Sequence, residues 1–205
     1  KPPCRAIVDL GLLVDGSGSI SENNFKKCKK FVKDMAKSFE ISESGTHVGI
    51  VLFSSIPTVV FNFKKYYDVA SIEKAIDGMV QPKRKTHIGS ALEMTKSDLF
   101  DASSRPSVRR ILIVMTDGIS QDNATNAARA VRDIGVTIFT LGIGTKYWIK
   151  ELNEIATDPD EDHVFTSGFD ELDKMAELIK DKACKVHFVS RLMKTTLTNH
   201  LLWFI

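Results

Sequence analysis

Ala6-Ile7-Val8-Asp9-Leu10-Gly11-Leu12-Leu13-Val14, followed by Asp15-Gly16-Ser17-Gly18-Ser19, is the stretch that decides the fold. The first nine residues are almost all apolar, as a strand reads when helices cover both faces of its sheet. The run then stops at a carboxylate followed by alternating glycine and serine, where the chain must turn out of the sheet. In a sheet of this kind ligands bind outside the carboxyl ends of the strands, so the junction at Asp15 is the first place to look for chemistry.

Outward from it, further apolar runs occur at His47 to Phe53, Val59 to Phe63, Arg110 to Met115, Val136 to Gly142 and His163 to Phe165. Helical spacing separates them. Phe25, Cys28, Phe31, Val32, Met35 and Phe39 recur on one face, opposite Lys26, Lys27, Lys29, Lys30 and Lys33, which reads as a solvated face. Similar patterns cover about Ser71 to Met79, Gly89 to Phe100, Asn123 to Ile134, Tyr147 to Ala156 and Phe169 to Lys182, while Asp158-Pro159-Asp160 reads as a loop. The alternation predicts an α/β fold: a doubly wound, mostly parallel six-stranded sheet with helices on both faces. The third strand follows the second after only a few residues and is predicted to be a short antiparallel edge.

The 205 residues suit one domain, with 43% hydrophobic and 26% charged residues at ordinary globular values. The organisation expected is a domain over 1–184 and a basic, apolar-ended tail over 185–205, which either docks on the domain or serves as a linker. Without that tail the chain holds 25 Lys or Arg against 26 Asp or Glu, which excludes a broad basic face for nucleic acid. No apolar run approaches the roughly 20 residues of a membrane-spanning helix. Cys4, Cys28 and Cys184 allow three single disulfides. Cys28 falls inside a helical pattern, whereas a Cys4–Cys184 bridge would close about 180 residues and add ~5 kcal/mol in the chain-entropy model. That bridge implies an oxidising compartment; the alternative is three reduced thiols inside a cell.

Three strand ends carry the chemistry. Asp15, Ser17 and Ser19 alternate, so in an extended loop their oxygens project to one side. Thr86, in Lys85-Thr86-His87-Ile88-Gly89, and Asp117, in Thr116-Asp117-Gly118, add two more oxygens. Five oxygen donors without nitrogen or sulfur suit a hard divalent cation, Mg²⁺ or Mn²⁺. Two carboxylates balance the ion's charge and three hydroxyls add none, so the metal stays electrophilic at an open position where an acidic side chain of another protein can bind.

These residues resemble the von Willebrand factor A domain family: Asp15-x-Ser17-x-Ser19, Thr86 in Thr-x-Ile-Gly-x-Ala-Leu, and Asp117 in Thr-Asp-Gly. The resemblance runs from about Cys4 to Cys184 and includes the flanking cysteines of many extracellular members. It implies a metal-ion-dependent adhesion site (MIDAS), with Ser17, Ser19 and Thr86 as direct ligands and the two aspartates acting directly or through water. It also implies a secreted, extracellular-matrix module that is not an enzyme and binds a protein ligand, collagen foremost, within a larger multidomain or self-assembling protein. The alternative of another class is a structural matrix protein that assembles through metal-independent surfaces.

Rival chemistries lack their motifs. A full G-x-G-x-x-G is absent because position 21 is Ser, no P-loop occurs, and the serine elbow G-x-S-x-G is not supplied. The five histidines show no zinc-type spacing. Lys83-Arg84-Lys85 is expected to gather positive charge beside Thr86. Asn123-Ala124-Thr125 fits a glycosylation acceptor, meaningful in a secreted chain.

Overall fold

The computed structural model describes residues 2–185; the expected tail therefore lies outside the described residues apart from Lys185. Six strands form one sheet: β1 (Val8–Asp15), β2 (His47–Phe53), β3 (Thr58–Phe61), β4 (Arg109–Thr116), β5 (Val136–Ile143) and β6 (Val164–Ser167). Their order is β3-β2-β1-β4-β5-β6, all parallel except β3, which runs antiparallel to β2 at the edge. The chain winds outward from β1 to β3 and then crosses back to β4. The order thus reverses between β1 and β4, which opens a crevice at their carboxyl ends.

Alternating side chains of each strand feed two cores. On one face Leu10, Leu12, Val14, Ile111 and Ile113 meet Phe25, Phe31, Val32 and Met35 of α1 (Glu22–Lys37), Ile72 and Ile76 of α2 (Val69–Asp77), and Ile179 of the helix over 172–185. On the other Leu13, Val51, Leu112, Val114 and Ile138 meet Ile88 and Leu92 of α3 (Ile88–Met94), Ala128 and Val131 of α4 (Ala124–Asp133) and Ile155 of α5 (Ile149–Ile155). The near-unbroken apolar reading of β1 and β4 follows from this double cover.

Several local features depart from the sequence reading. The predicted helix at Gly89 to Phe100 is α3 followed by a π-helical segment, Thr95–Asp101. Its Leu99 and Phe100 press into a hollow made by Gly11 and Gly49, which face each other across β1 and β2. A Cβ on Gly49 would lie 2.5 Å from Leu99 Cδ1, so any side chain there would have to displace Leu99. Asp158-Pro159-Asp160 leads into a short helix, α6 (Asp160–His163), and β6 begins one residue later than predicted because His163 bonds the Pro159 carbonyl through Nδ1 at 3.0 Å. The lysine face of α1 is a set of clamps: Lys33 to Asp77 (2.8 Å) and Lys37 to Glu73 tie α2, while Lys27 to Asp170 (2.6 Å) and Lys30 to Asp173 (2.7 Å) tie the chain around the last helix. These acids lie 36 or more residues away in sequence, beyond the reach of a periodicity argument.

Cys4 and Cys184 are joined, with Cα atoms 6.1 Å apart across 180 residues of sequence. Cys28 is fully buried on α1, and burial first, then the charges of Asp15 and Asp117, push its thiol up to about 12. Thiol titration is expected to find no reactive cysteine in the native chain and one after denaturation without reductant; three would place the chain in a reducing compartment.

Candidate metal centre

The crevice between β1 and β4 assembles the polar residues singled out by sequence. Asp15 ends β1 and Asp117 follows β4 directly, so the parallel pairing of these strands sets the two carboxylates side by side. Asp15 is 1% exposed and both of its oxygens are engaged: Ser17 N donates to Oδ1 at 2.8 Å and Thr116 Oγ1 to Oδ2 at 2.7 Å. The Asp117 amide approaches Oδ2 at 3.4 Å. Burial, reinforced by the Asp117 charge, pushes the Asp15 carboxyl above its usual range although hydrogen bonds from Ser17 and Thr116 pull it back. An adjacent dication would relieve that repulsion.

Above Asp15 three oxygens form a triangle. Ser17 Oγ and Ser19 Oγ are 3.1 Å apart, Ser19 Oγ donates to Asp117 Oδ1 at 2.7 Å, and Ser17 Oγ stands 3.5 Å from that same oxygen. Neighbouring ligands of an octahedral Mg²⁺ ion at 2.0–2.1 Å are about 2.9 Å apart, close to the two shorter separations, while the Ser17 to Asp117 separation is longer. Ser17 is buried whereas Ser19 is exposed, so the face opens to solvent. Thr86 is 7% exposed; its Oγ1 lies 3.6 Å from the position a Cβ would take on Gly118, and its carbonyl accepts from Gln121 N at 2.9 Å. Among the described residues Thr86 Oγ1 makes no hydrogen bond to the other four side chains, so the structure brings four together and sets the fifth beside Gly118. No group of three His, Cys, Asp or Glu side chains able to hold a metal occurs among the described residues. The donors gathered here are two carboxylates and serine hydroxyls, an all-oxygen set that fits a hard cation.

The loops are held in place by backbone contacts. Gly16 N donates to the Phe53 carbonyl at 2.7 Å and Lys83 N to the Gly16 carbonyl at 2.9 Å. Pro82 packs so closely that a Cβ on Gly16 would meet its Cδ at 2.6 Å. Gln81 Nε2 bonds the carbonyls of Ser17 and Ile20 at 3.0 and 2.8 Å, which fixes the turn into α1.

The model of the von Willebrand factor type A domain matches residues 9–179. The chain belongs to this family. Chicken (Gallus gallus) matrilin-1 is 34% identical over 180 residues, 86% of this chain and 36% of matrilin-1. The human (Homo sapiens) collagen alpha-1(XXI) chain is 33% identical over 187 residues, 90% of this chain and 19% of the collagen chain. Among solved structures, proximal thread matrix protein 1 from the mussel byssus, with a zinc-occupied MIDAS motif, superimposes with a TM-score of 0.84 at 30% identity, covering 90% of this chain and 50% of that one. The A domain thus spans half or less of the relatives it matches. Its setting is secreted and extracellular-matrix, in keeping with the company of matrix proteins and with Cys4–Cys184.

The sequence reading of this A domain missed the residues that join its two loops. Asp122 accepts four hydrogen bonds: from Gly89 N (2.7 Å), Ser90 N (2.8 Å), Ser90 Oγ (2.8 Å) and Ser120 Oγ (2.6 Å). Ser120 Oγ in turn accepts from Ile88 N at 2.9 Å, and its own amide donates to Glu151 Oε2 on α5 at 3.0 Å. Burial alone would raise the Asp122 carboxyl, but the hydrogen bonds from Ser120, Ser90 and Gly89 outweigh it and hold the carboxyl below its usual range. The Asp122 carboxylate therefore ties the loop carrying Asp117 to the helix start just after Thr86. The signal was present as Ser120-x-Asp122 five residues beyond Asp117. Asp122→Ala is expected to weaken Mn²⁺ binding by about 10–100-fold, as loss of a group orienting metal ligands does, with Asp122→Asn intermediate. Calorimetric titration checks it; unchanged affinity in Asp122→Ala would show that the loops hold their places without the clamp.

Proposed function

We propose that this A domain is a non-enzymatic binding module of the extracellular matrix that engages an acidic residue of a protein ligand through a divalent cation. Ser17, Ser19 and Thr86 would hold Mg²⁺ or Mn²⁺ directly, and Asp15 and Asp117 directly or through water. The bound ion would supply an electrophilic position for a carboxylate oxygen. The observation that carries this reading is the solvent-facing triangle of Ser17, Ser19 and Asp117 oxygens over a buried carboxylate. The zinc in the MIDAS motif of the mussel protein supports a dication in this place, and the all-oxygen donor set favours Mg²⁺ or Mn²⁺ here.

The surrounding rim suits a protein partner. Ile56, Val80, Ile119, Trp148 and Ile149 are exposed large apolar side chains in loops or at a helix start beyond the strand ends. Arg84 and Lys85 add exposed positive charge, whereas Lys83 is engaged by Glu22. Collagen or another matrix protein is the leading partner class, and residues 1–184 form the binding domain with 185–205 as a tail. The second reading, matrix assembly through metal-independent surfaces, draws support from relatives that are themselves matrix and collagen chains.

Asp15→Ala and Ser19→Ala test the bridging role. Both are expected to abolish capture by immobilised matrix proteins in Mg²⁺ while far-ultraviolet circular dichroism stays unchanged. Capture that survives in both folded variants would move recognition away from the ion.

A further inference from the structure

We propose that Asn123 carries an N-linked glycan, attached so that its helix cap survives. Asn123-Ala124-Thr125 is the only Asn-x-Ser/Thr triplet in the sequence. The structure places Asn123 at the N-cap of α4, exposed, with φ −83° and ψ 89°. Its Oδ1 accepts from Asn126 N at 3.1 Å, and among the described residues Nδ2 has no protein hydrogen bond. The two ends of the amide are thereby divided: oxygen closes the helix, nitrogen faces solvent. Adding a sugar to Nδ2 removes no contact of the fold, because the amide oxygen keeps its acceptor role in an N-glycosidic linkage.

The step is a group transfer without redox change. Asn123 Nδ2 bonds to C1 of the reducing-end sugar of a lipid-pyrophosphate-linked oligosaccharide as the C1–oxygen bond to pyrophosphate breaks. The leaving pyrophosphate takes the electron pair and Nδ2 gives up one proton. Thr125 Oγ1, which completes the acceptor triplet, is held by Glu154 Oε2 at 2.9 Å in the folded chain. Transfer therefore belongs to the stage before α4 packs against α5, as for a chain entering the secretory route.

The glycan would border one side of the candidate metal centre. The Asn123 carbonyl lies 2.7 Å from where a Cβ on Gly89 would sit, at the start of α3, whereas Lys83 borders the opposite loop at Gly18, with its carbonyl 3.0 Å from a Cβ there. A glycan on the α3–α4 side leaves the Gly16–Gly18 side clear for a partner.

The test is the intact mass of the full 205-residue chain secreted from animal cells, before and after peptide-N-glycosidase. The expected result is a glycan mass that the enzyme removes to leave aspartate at 123, lost in Asn123→Gln and Thr125→Ala and kept in Thr125→Ser. Secreted, folded wild-type chain with unmodified Asn123 would overturn the proposal. Should Asn123→Gln fail to fold for want of its cap, Thr125→Ala, which keeps Asn123, decides the matter. Mn²⁺ titration of the enzyme-treated chain is a separate readout, so failure of the metal reading would leave this result standing.

Discussion

Asp117→Ala is expected to abolish Mg²⁺ and Mn²⁺ binding while leaving a folded domain. Asp117 Oδ1 receives Ser19 Oγ at 2.7 Å and stands 3.5 Å from Ser17 Oγ, so its removal takes one oxygen from the triangle and half of the charge that balances the ion. The loss should exceed the roughly 10–100-fold typical of groups that only orient ligands. Stability separates this from simple damage. In EDTA the variant is expected to melt close to the wild type, because relief of the charge beside Asp15 offsets part of the loss of the Ser19 hydrogen bond. With Mg²⁺ at 100 times Kd, the wild type alone should gain about 2.7 kcal/mol from ligand linkage. An Asp117→Ala chain that still gains stability with Mg²⁺ would remove this carboxylate from the site.

Arg105→Ala is expected to cost about 3 kcal/mol, or roughly 6–12 °C in Tm for a domain of this size. Asp9 lies at the amino-terminal end of β1 and is fully buried. Arg105 answers it three times: backbone N to Oδ2 at 2.6 Å, Nε to Oδ1 at 2.9 Å, and Nη2 to Oδ1 at 2.8 Å. Its remaining donors reach the Gly45 and Val8 carbonyls at 2.9 and 3.1 Å. Truncating Arg105 leaves a buried carboxylate with only the backbone amide, whereas removing both partners takes away the uncompensated charge as well. The double variant Asp9→Ala/Arg105→Ala is therefore expected to be less destabilised than the sum of the two single variants. Chemical denaturation measures this, and additive losses would mean that the pair acts as two independent struts.

The sheet was legible because β1, β4 and β5 bury nearly every residue, so their apolar runs stand out against amphipathic helices. The clustering of Asp15, Ser17, Ser19 and Asp117 was legible because these residues stand at the ends of β1 and β4, whereas Thr86 comes from the loop between α2 and α3. What escaped the sequence depends on contacts between distant segments. The π-helical turn at Thr95–Asp101 exists to seat Leu99 and Phe100 against Gly11 and Gly49, and nothing in local periodicity specifies that hollow. Asp122 looks like an ordinary loop aspartate until α3 is laid beside it. The α1 lysines look solvated until α2 and the last helix bring their acids. Lys83, read as part of a basic rim, gives its charge to Glu22 across the turn into α1.

The most direct test of the central claim is capture of the full chain on immobilised collagen and other matrix proteins in Mg²⁺, repeated in EDTA and after Mg²⁺ is restored. Binding is expected to disappear with chelator and return with the ion, and to be competed by acidic peptides and not by their amide counterparts. Binding of equal strength in EDTA would contradict it and move the partner surface away from Asp15, Ser17, Ser19, Thr86 and Asp117.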